Sequence, residues 1–184
     1  MSLASPPLAG DDVSLILRAL EFAAQKHRDQ RRKDKHASPY INHPIQLANV
    51  LWNEGGVTDP VVIAAALLHD TIEDTETSWQ ELRGEFGDEI ADIVVEVTDV
   101  QWLKKIVRKR LQVARTRHAS ESARLVKLAD KICNLRDIAA QPPTGWSLQR
   151  RREYFEWAKE VVDRLRGTHP GLERKFDEAC ALKP

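Results

Sequence analysis

One stretch constrains the fold of this chain more than any other: residues 61–68, a run in which every side chain is apolar. Asp59 and Pro60 precede the run, and this pair is typical of a helix start, because the carboxylate caps free N–H groups and proline suits the first turn. A helix that is apolar on every side has no face for solvent. We therefore expect this segment to be the central helix, with the other elements packed around it.

The rest of the chain repeats apolar residues at the 3.6-residue period of an α-helix, and no run alternates as a half-buried strand does. Capping residues and stop signals divide it into nine predicted helices. Their marker residues, in chain order, are Asp11 or Asp12, Pro44, Pro60, Ser78 with Glu81 as a capping box, Ile90, Leu103, Ser120, Tyr154 and Pro170. The sequence predicts an all-α fold in one compact domain, residues 1–184, with residues 1–10 flexible.

Apolar stripes predict which helix faces turn inward. The inward face of the first helix is expected to carry Val13, Ile16, Leu17, Leu20, Ala24 and His27. His27 is interpreted as a core histidine that closes this face and lies outside any site. The apolar positions of the sixth helix are Leu103, Ile106, Val107, Leu111 and Ala114.

Composition and charge argue against several classes of protein. Lys+Arg and Asp+Glu are both 28, so the formal net charge is zero, whereas a duplex-binding protein usually shows a basic excess. No apolar run reaches the ~20 residues that span a bilayer, and residues 1–10 lack a signal-peptide pattern. Cys133 and Cys180 are too few for a disulfide framework. We expect a cytoplasmic protein with a small-molecule partner, and neither nucleic acid nor membrane as partner.

A polar cluster follows the apolar run directly: His69, Asp70, Glu73 and Asp74. Four titratable groups at the end of a buried helix are costly to desolvate without a cation or polar partners. Glu73 follows Asp70 by three residues and His69 by four, so one helical turn would bring these side chains together. Imidazole and carboxylate are ligands for a divalent transition ion.

Two further residues fit the same chemistry. His43 stands just before Pro44, at a predicted helix start, and Asp130 interrupts the apolar face of the seventh helix. Each candidate has a purely structural alternative: the His69–Asp70 pair could cap a helix, His43 could do the same, and Asp130 could pair with Lys127 or Lys131. The combination is more specific than any member, because each residue adjoins a helix boundary or a buried stripe.

Motifs along nearly the whole chain resemble the HD-domain hydrolases of the RelA/SpoT group, and among them the stand-alone members of the metazoan SpoT homologue type. The matching stretches are His27-Arg-Asp-Gln-Arg-Arg32-Lys33, Pro39-Tyr-Ile-Asn-His43-Pro44, Leu68-His69-Asp70-Thr-Ile-Glu73-Asp74, Glu96-Val-Thr-Asp99, Leu125-Val-Lys-Leu-Ala-Asp130-Lys-Ile-Cys-Asn134, and the segment from Gly145-Trp146-Ser147 through Arg150 to Tyr154. The resemblance implies an HD-type helical phosphohydrolase fold. It also implies a manganese-dependent enzyme that removes the 3′-pyrophosphate of ppGpp and pppGpp.

The resemblance distributes roles among residues of this chain. One Mn²⁺ would be held by His43, His69, Asp70 and Asp130, a set that leaves open positions on an octahedral ion. Glu73 is the first choice for general base, with Asp74 in support. The resemblance also implies that the substrate meets Arg32, Lys33, Lys105, Arg150 and Tyr154. Asn134 is added from its position one turn past Asp130, where it could hold a ribose or phosphate oxygen. The chain departs from the family pattern at Ala37, where glycine is usual, and at Lys104, where proline is usual.

Two other functions use the same residues. The first is an HD phosphatase acting on another nucleotide, such as the 2′-phosphate of NADPH or a nucleoside monophosphate. The second is a nucleotide-binding module without catalysis, which predicts the loss of at least one metal or acid–base residue. All of those residues are present. The sequence leaves the oligomeric state open.

Overall fold

A computed structural model describes residues 9–184. Within this range the chain forms ten α-helices and no β-strand, which confirms the all-α prediction. The helices are α1 Gly10–Lys26, α2 Asn42–Asn49, α3 Pro60–Leu68, α4 Thr71–Asp74, α5 Trp79–Phe86, α6 Asp88–Val97, α7 Lys105–Thr116, α8 Glu121–Ala140, α9 Leu148–Asp163 and α10 Pro170–Cys180, and a π-helical turn, Val50–Glu54, continues α2. None of the described helices has the length and apolar character that crossing a bilayer requires.

Helix α3 lies at the centre, as its sequence predicts. Every residue from Val62 to Leu68 is buried, and α1, α2, α6 and α8 all pack against the helix. The buried apolar side chains of the described helices form one continuous core cluster. Complete burial of a leucine or isoleucine side chain contributes roughly 1.5–3 kcal/mol, so this core is the main source of stability around the site.

Several of the predicted N-terminal helix caps are present in the structure. The Asp59 carboxylate accepts from the Val61 N–H at 2.9 Å, and Ser120 Oγ accepts from the Ala123 N–H at 3.2 Å. The capping box of α5 is only half formed, so that prediction is wrong in part. Ser78 does cap the helix, but the Glu81 carboxylate pairs with Lys26 of α1 at 2.6 Å. A long-range ion pair has replaced the local contact.

The predicted inward face of α1 is wrong at Val13 and Leu17, which are 43% and 58% exposed. The buried positions are Ala19, Ala23 and the following His27. The small alanines let α1 approach α3 closely, and this contact sets the rotation of the helix. Residues 1–8 of the predicted flexible segment lie outside the described chain, whereas Gly10 already belongs to α1.

Helix α7 has a different environment from the other long helices. Among its residues only Thr116 is buried, and Ile106 is 58% exposed. The helix rests on α9 at one edge of the molecule, so its apolar positions do not form part of the core. Its basic side chains instead reach a cleft that is described below.

The polar cluster after α3 does not continue that helix. His69 and Asp70 form a turn, and Thr71–Asp74 forms the separate short helix α4. The Thr71 hydroxyl donates to the Leu68 carbonyl at 2.7 Å. A threonine that bonds a nearby carbonyl competes with the helical ladder, and the chain bends here. The bend turns the polar cluster toward α2 and α8.

Candidate active site

Three helical segments bring a set of metal-ligand side chains together. His43 lies in the first turn of α2, His69 follows α3, and Asp130 lies in the middle of α8. One donor atom from each lies within 4.8 Å of the other two, and His43 Nε2 is 3.2 Å from Asp130 Oδ1. Asp70 joins the group, with Oδ2 2.9 Å from His69 Nε2 and 3.9 Å from His43 Nε2. Three of the four predicted ligands therefore converge on one point, and Asp70 lies beside them.

The chemistry of this set fits a divalent cation. The Ala66 carbonyl accepts from His69 Nδ1 at 2.8 Å, so Nε2 is the ring atom that faces the site. That Nε2 atom is buried and forms no aligned hydrogen bond, although Asp70 is close. Buried imidazoles and carboxylates that converge on one point suit a shared ion. His43, His69 and Asp130 are thus a possible divalent-metal triad.

The electrostatics of the site point the same way. Burial alone would raise the pKa of Asp70 and of Asp130, but His69 beside Asp70 and Lys131 beside Asp130 hold both values below the usual range. Burial alone would lower the pKa of His69, yet Asp70 and Asp130 raise it to about 9. The two carboxylates therefore retain a proton on His69 at neutral pH. A divalent cation would displace this proton on binding.

Surrounding side chains fix the two carboxylates in place. The Tyr40 hydroxyl donates to Asp70 Oδ2. Asp130 accepts from Asn134 Nδ2 at 2.5 Å and from Lys131 Nζ at 2.8 Å. The structural alternative for Asp130, pairing with Lys131, is thus realised within the same cluster. Tyr40 was not selected from the sequence as a site residue; its position three residues before His43 is the only signal that could have indicated it.

Glu73 and Asp74 lie in the same cleft as the triad. Glu73 Oε2 accepts from the Asp99 N–H at 2.8 Å, and Arg108 lies 3.8 Å from Glu73 Oε1. Burial raises the pKa of Glu73 to about 7, against the effect of the Asp99 hydrogen bond. Asp74 is more exposed and accepts from Gln30 Nε2 at 3.0 Å. Sequence reasoning did not single out Asp99 or Gln30.

The six predicted substrate residues line clefts that adjoin the triad. A cleft of about 640 Å³ contains Arg32, Lys33, Asn134 and Tyr154, and one of about 520 Å³ contains Lys105, Arg150 and Tyr154. Trp146 and Tyr154 border both of these and the triad cleft. The Arg150 guanidinium stacks over the Trp146 ring at 4.2 Å. Trp146 is a cleft residue that the sequence analysis did not select.

The loop before α2 forms one wall of the larger cleft. Asp34 Oδ1 accepts from the His36 N–H at 2.7 Å, and Arg32 pairs with Asp137 of α8. Ala37 adopts a φ of +49°. It is the one non-glycine residue with positive φ in residues 9–184. The loop therefore holds an alanine in the left-handed backbone conformation that favours glycine.

Residues 19–156 match the family model of the HD domain, so fold and site define the class as an all-α HD-domain protein. Guanosine-3′,5′-bis(diphosphate) 3′-pyrophosphohydrolase MESH1 of Xenopus tropicalis is 55% identical over 166 residues, 90% of this chain and 93% of that protein. The human protein of that name is 54% identical over 164 residues, 89% of this chain and 92% of the relative. The chain therefore belongs to the HD-domain family, in the branch of these MESH1 pyrophosphohydrolases, which confirms the predicted membership.

A solved structure gives the same result at the level of the fold. It is described as a metazoan orthologue of SpoT that hydrolyses ppGpp and plays a role in starvation responses. It matches this chain with a TM-score of 0.88 and 47% identity, and the match covers 96% of each chain.

Proposed function

We propose that this chain is a manganese-dependent hydrolase that releases pyrophosphate from the 3′ position of ppGpp and pppGpp, leaving GDP and GTP. The observation that supports the proposal is the convergence of His43, His69 and Asp130 within 4.8 Å, in a cleft that also contains Glu73 and Asp74. The relatives described above carry this activity in their names.

The residues divide the work as follows. His43, His69, Asp70 and Asp130 would hold the ion, which supplies positive charge and Lewis acidity toward a phosphoryl oxygen. Glu73 would accept a proton from the attacking water as that water adds to the phosphorus bonded to O3′ of the ribose. The O3′–phosphorus bond breaks, and the proton returns to O3′. A carboxyl whose pKa is about 7 can both accept and return a proton near neutral pH.

The basic side chains around the clefts would bind the phosphates. Lys105 and Arg150 lie on one side of Tyr154, and Arg32 and Lys33 on the other. A substrate with two diphosphate groups could therefore place one group at the triad and reach cations with the second. Arg32, a planar guanidinium 5.8 Å from the Tyr40 ring centroid, could also stack on a purine.

The test is a product assay on metal-stripped protein reloaded with Mn²⁺, Mg²⁺ or Zn²⁺. ppGpp, pppGpp, NADPH and dAMP are offered separately, and pyrophosphate and orthophosphate are measured. We expect pyrophosphate from the first two, with Mn²⁺ most effective. Orthophosphate from NADPH or dAMP, with no pyrophosphate from ppGpp, would replace this proposal by the alternative phosphatase. No product with any substrate would favour a non-catalytic binding module.

Variants separate metal binding from proton transfer. His69→Ala should lose bound metal, measured by elemental analysis, whereas the exposed His118→Ala should keep it. Glu73→Gln should keep the metal but lower kcat by roughly 10²–10⁴ if Glu73 is the base. A Glu73→Gln enzyme with normal kcat would remove Glu73 from the mechanism.

We also propose a cytoplasmic enzyme that acts as one domain. The single core cluster supports the second point, and the free thiols of Cys133 and Cys180 are compatible with the first. Limited proteolysis of the whole chain and fractionation of cells would test the two statements.

A further inference from the structure

A buried histidine outside the metal triad contacts side chains that bond two carboxylates of the site, Asp70 and Asp74. His27, just after α1, is 2% exposed, and its Nδ1 atom lies 2.6 Å from Gln30 Oε1. Gln30 Nε2 in turn donates to Asp74 Oδ2 at 3.0 Å. His27, Gln30 and Asp74 therefore form a chain of hydrogen bonds that ends in the cleft; the sequence analysis had placed this histidine outside the site.

The chemistry of each group fixes the direction of this chain. An ionised carboxylate can only accept, so the amide nitrogen of Gln30 must face Asp74. The amide oxygen then faces His27, and Nδ1 must carry the proton that it accepts. His27 Nε2 is buried and has no hydrogen-bond partner among residues 9–184, so a second proton there would be unsatisfied. This chain of hydrogen bonds therefore requires a proton on His27 Nδ1.

The same imidazole also supports Tyr40. The two rings are in tilted contact, with an interplanar angle of 33° and a centroid distance of 4.9 Å. The Tyr40 hydroxyl donates to Asp70. One buried ring thus contacts the partners of two carboxylates, Asp70 in the ligand set and Asp74 beside Glu73.

We propose that His27 and Gln30 are positioning residues that hold the Asp74 carboxylate in its working orientation. This inference rests on the proposed function, because it assigns Asp74 a part in the reaction. Asp74 needs such support more than Glu73 does. Glu73 is held by a backbone N–H and is partly buried, whereas Asp74 is exposed and Gln30 is its one side-chain hydrogen-bond partner in the described chain.

The test uses the full-length protein loaded with Mn²⁺ and assayed with ppGpp. Gln30→Ala and Gln30→Glu should each lower kcat by about 10- to 100-fold, the usual cost of a misplaced catalytic group. KM, bound manganese and Tm should stay near wild type. Gln30→Glu still accepts from His27 but faces Asp74 with a second carboxylate in place of a donor, so a loss in this variant reports on the contact with Asp74, and Gln30→Ala gives the loss of the donor without added charge. Gln25→Ala, an exposed glutamine on α1, is the matched control and should retain full activity.

A double-mutant cycle tests the route through Asp74. Gln30→Ala should cost nothing further in an Asp74→Ala background, because no carboxylate remains to be positioned. If Asp74→Ala is impaired and Gln30→Ala has the wild-type rate, the positioning role is refuted and the proposed function stands. If Gln30→Ala lowers kcat by the same factor in the wild-type and Asp74→Ala backgrounds, the positioning role is also refuted.

A second measurement does not depend on activity. Long-range ¹H–¹⁵N NMR of the imidazole reports which nitrogen carries the proton. The expected result is a His27 ring that carries a proton at Nδ1. A ring whose proton is on Nε2 alone would overturn the inference whatever the substrate proves to be. A wild-type protein that releases no pyrophosphate, with the expected tautomer present, would count against the proposed function alone.

Discussion

Two buried lysines one turn apart on α8 offer a direct test of the electrostatics of the site. Lys131 Nζ lies 2.8 Å from Asp130 Oδ2, and Lys127 Nζ donates to the Val97 carbonyl at 3.1 Å. Both lysines are almost fully buried. Asp130 keeps the pKa of Lys131 raised against the effect of burial, whereas burial lowers the pKa of Lys127 to about 8. We expect Lys131→Met and Lys127→Met to differ sharply in the free energy of unfolding.

The magnitude follows from the contact distance. Two unit charges 2.8 Å apart attract by about 6 kcal/mol at an effective dielectric constant of ~20. Removing one partner of a buried pair, after allowing for the hydration that the lysine had lost, costs about 3–5 kcal/mol. We therefore predict that Lys131→Met loses about 3–5 kcal/mol. Lys127→Met should change stability by less than about 1 kcal/mol, because the lost hydrogen bond is offset by relief from burying an ammonium.

The assay is urea unfolding in EDTA at pH 7, since a bound cation would take over the pairing with Asp130.

The pH dependence provides a second check. Because the pKa of Lys131 is raised in the folded protein, its contribution to the free energy of unfolding is fully present below the unfolded-state pKa of ~10.4. The stability lost in Lys131→Met should therefore be constant from pH 6 to 9. The cost of charged Lys127 is complete below about pH 8. That cost decreases as the pH rises toward ~10.4, so the wild-type protein should become more stable relative to Lys127→Met over this range. Equal stability of the two variants at pH 7 would refute the reasoning.

Two further predictions concern the loop and the proposed base. Ala37→Gly should stabilise the protein by about 1 kcal/mol, because Ala37 has a φ of +49° and a left-handed conformation costs alanine roughly that amount. Urea unfolding measures the change in the free energy of unfolding, and a loss of stability would contradict the prediction. The pKa of Glu73 is raised to about 7, and a general base must be ionised, so kcat/KM for ppGpp should fall tenfold per pH unit below about pH 7. A profile that stays flat down to pH 5.5 would show that the pKa of Glu73 is not raised in the metal-loaded enzyme and would contradict this prediction.

Local signals predicted the helices well but failed for the orientation of α1. Asp59, Ser78 and Ser120 were identified as caps because a cap depends on residues two or three positions away. The inward face of α1 depends on what packs against it. The close fit of Ala19 and Ala23 on α3 turned the helix away from the predicted stripe. The short helix α4 was missed because a single hydroxyl, that of Thr71, marks the break.

The candidate site shows the same division. The sequence analysis selected four ligands: His43, His69, Asp70 and Asp130. Each places a polar group at a helix boundary or in a buried stripe, and the free-energy cost of burying several such groups is rarely met without a ligand. Their partners had no such signal. Lys131 was considered only as an alternative to metal binding, yet it pairs with Asp130 within the same cluster.

By itself the sequence determined the all-α architecture, the central position of residues 61–68 and the family, because periodicity, capping and motifs are written in neighbouring residues. Only the tertiary structure decided that three distant segments share a focus within 4.8 Å. It also decided that His27 reaches Asp74 through Gln30. Distances between residues far apart in the chain arise from packing, and packing is settled by the whole core at once.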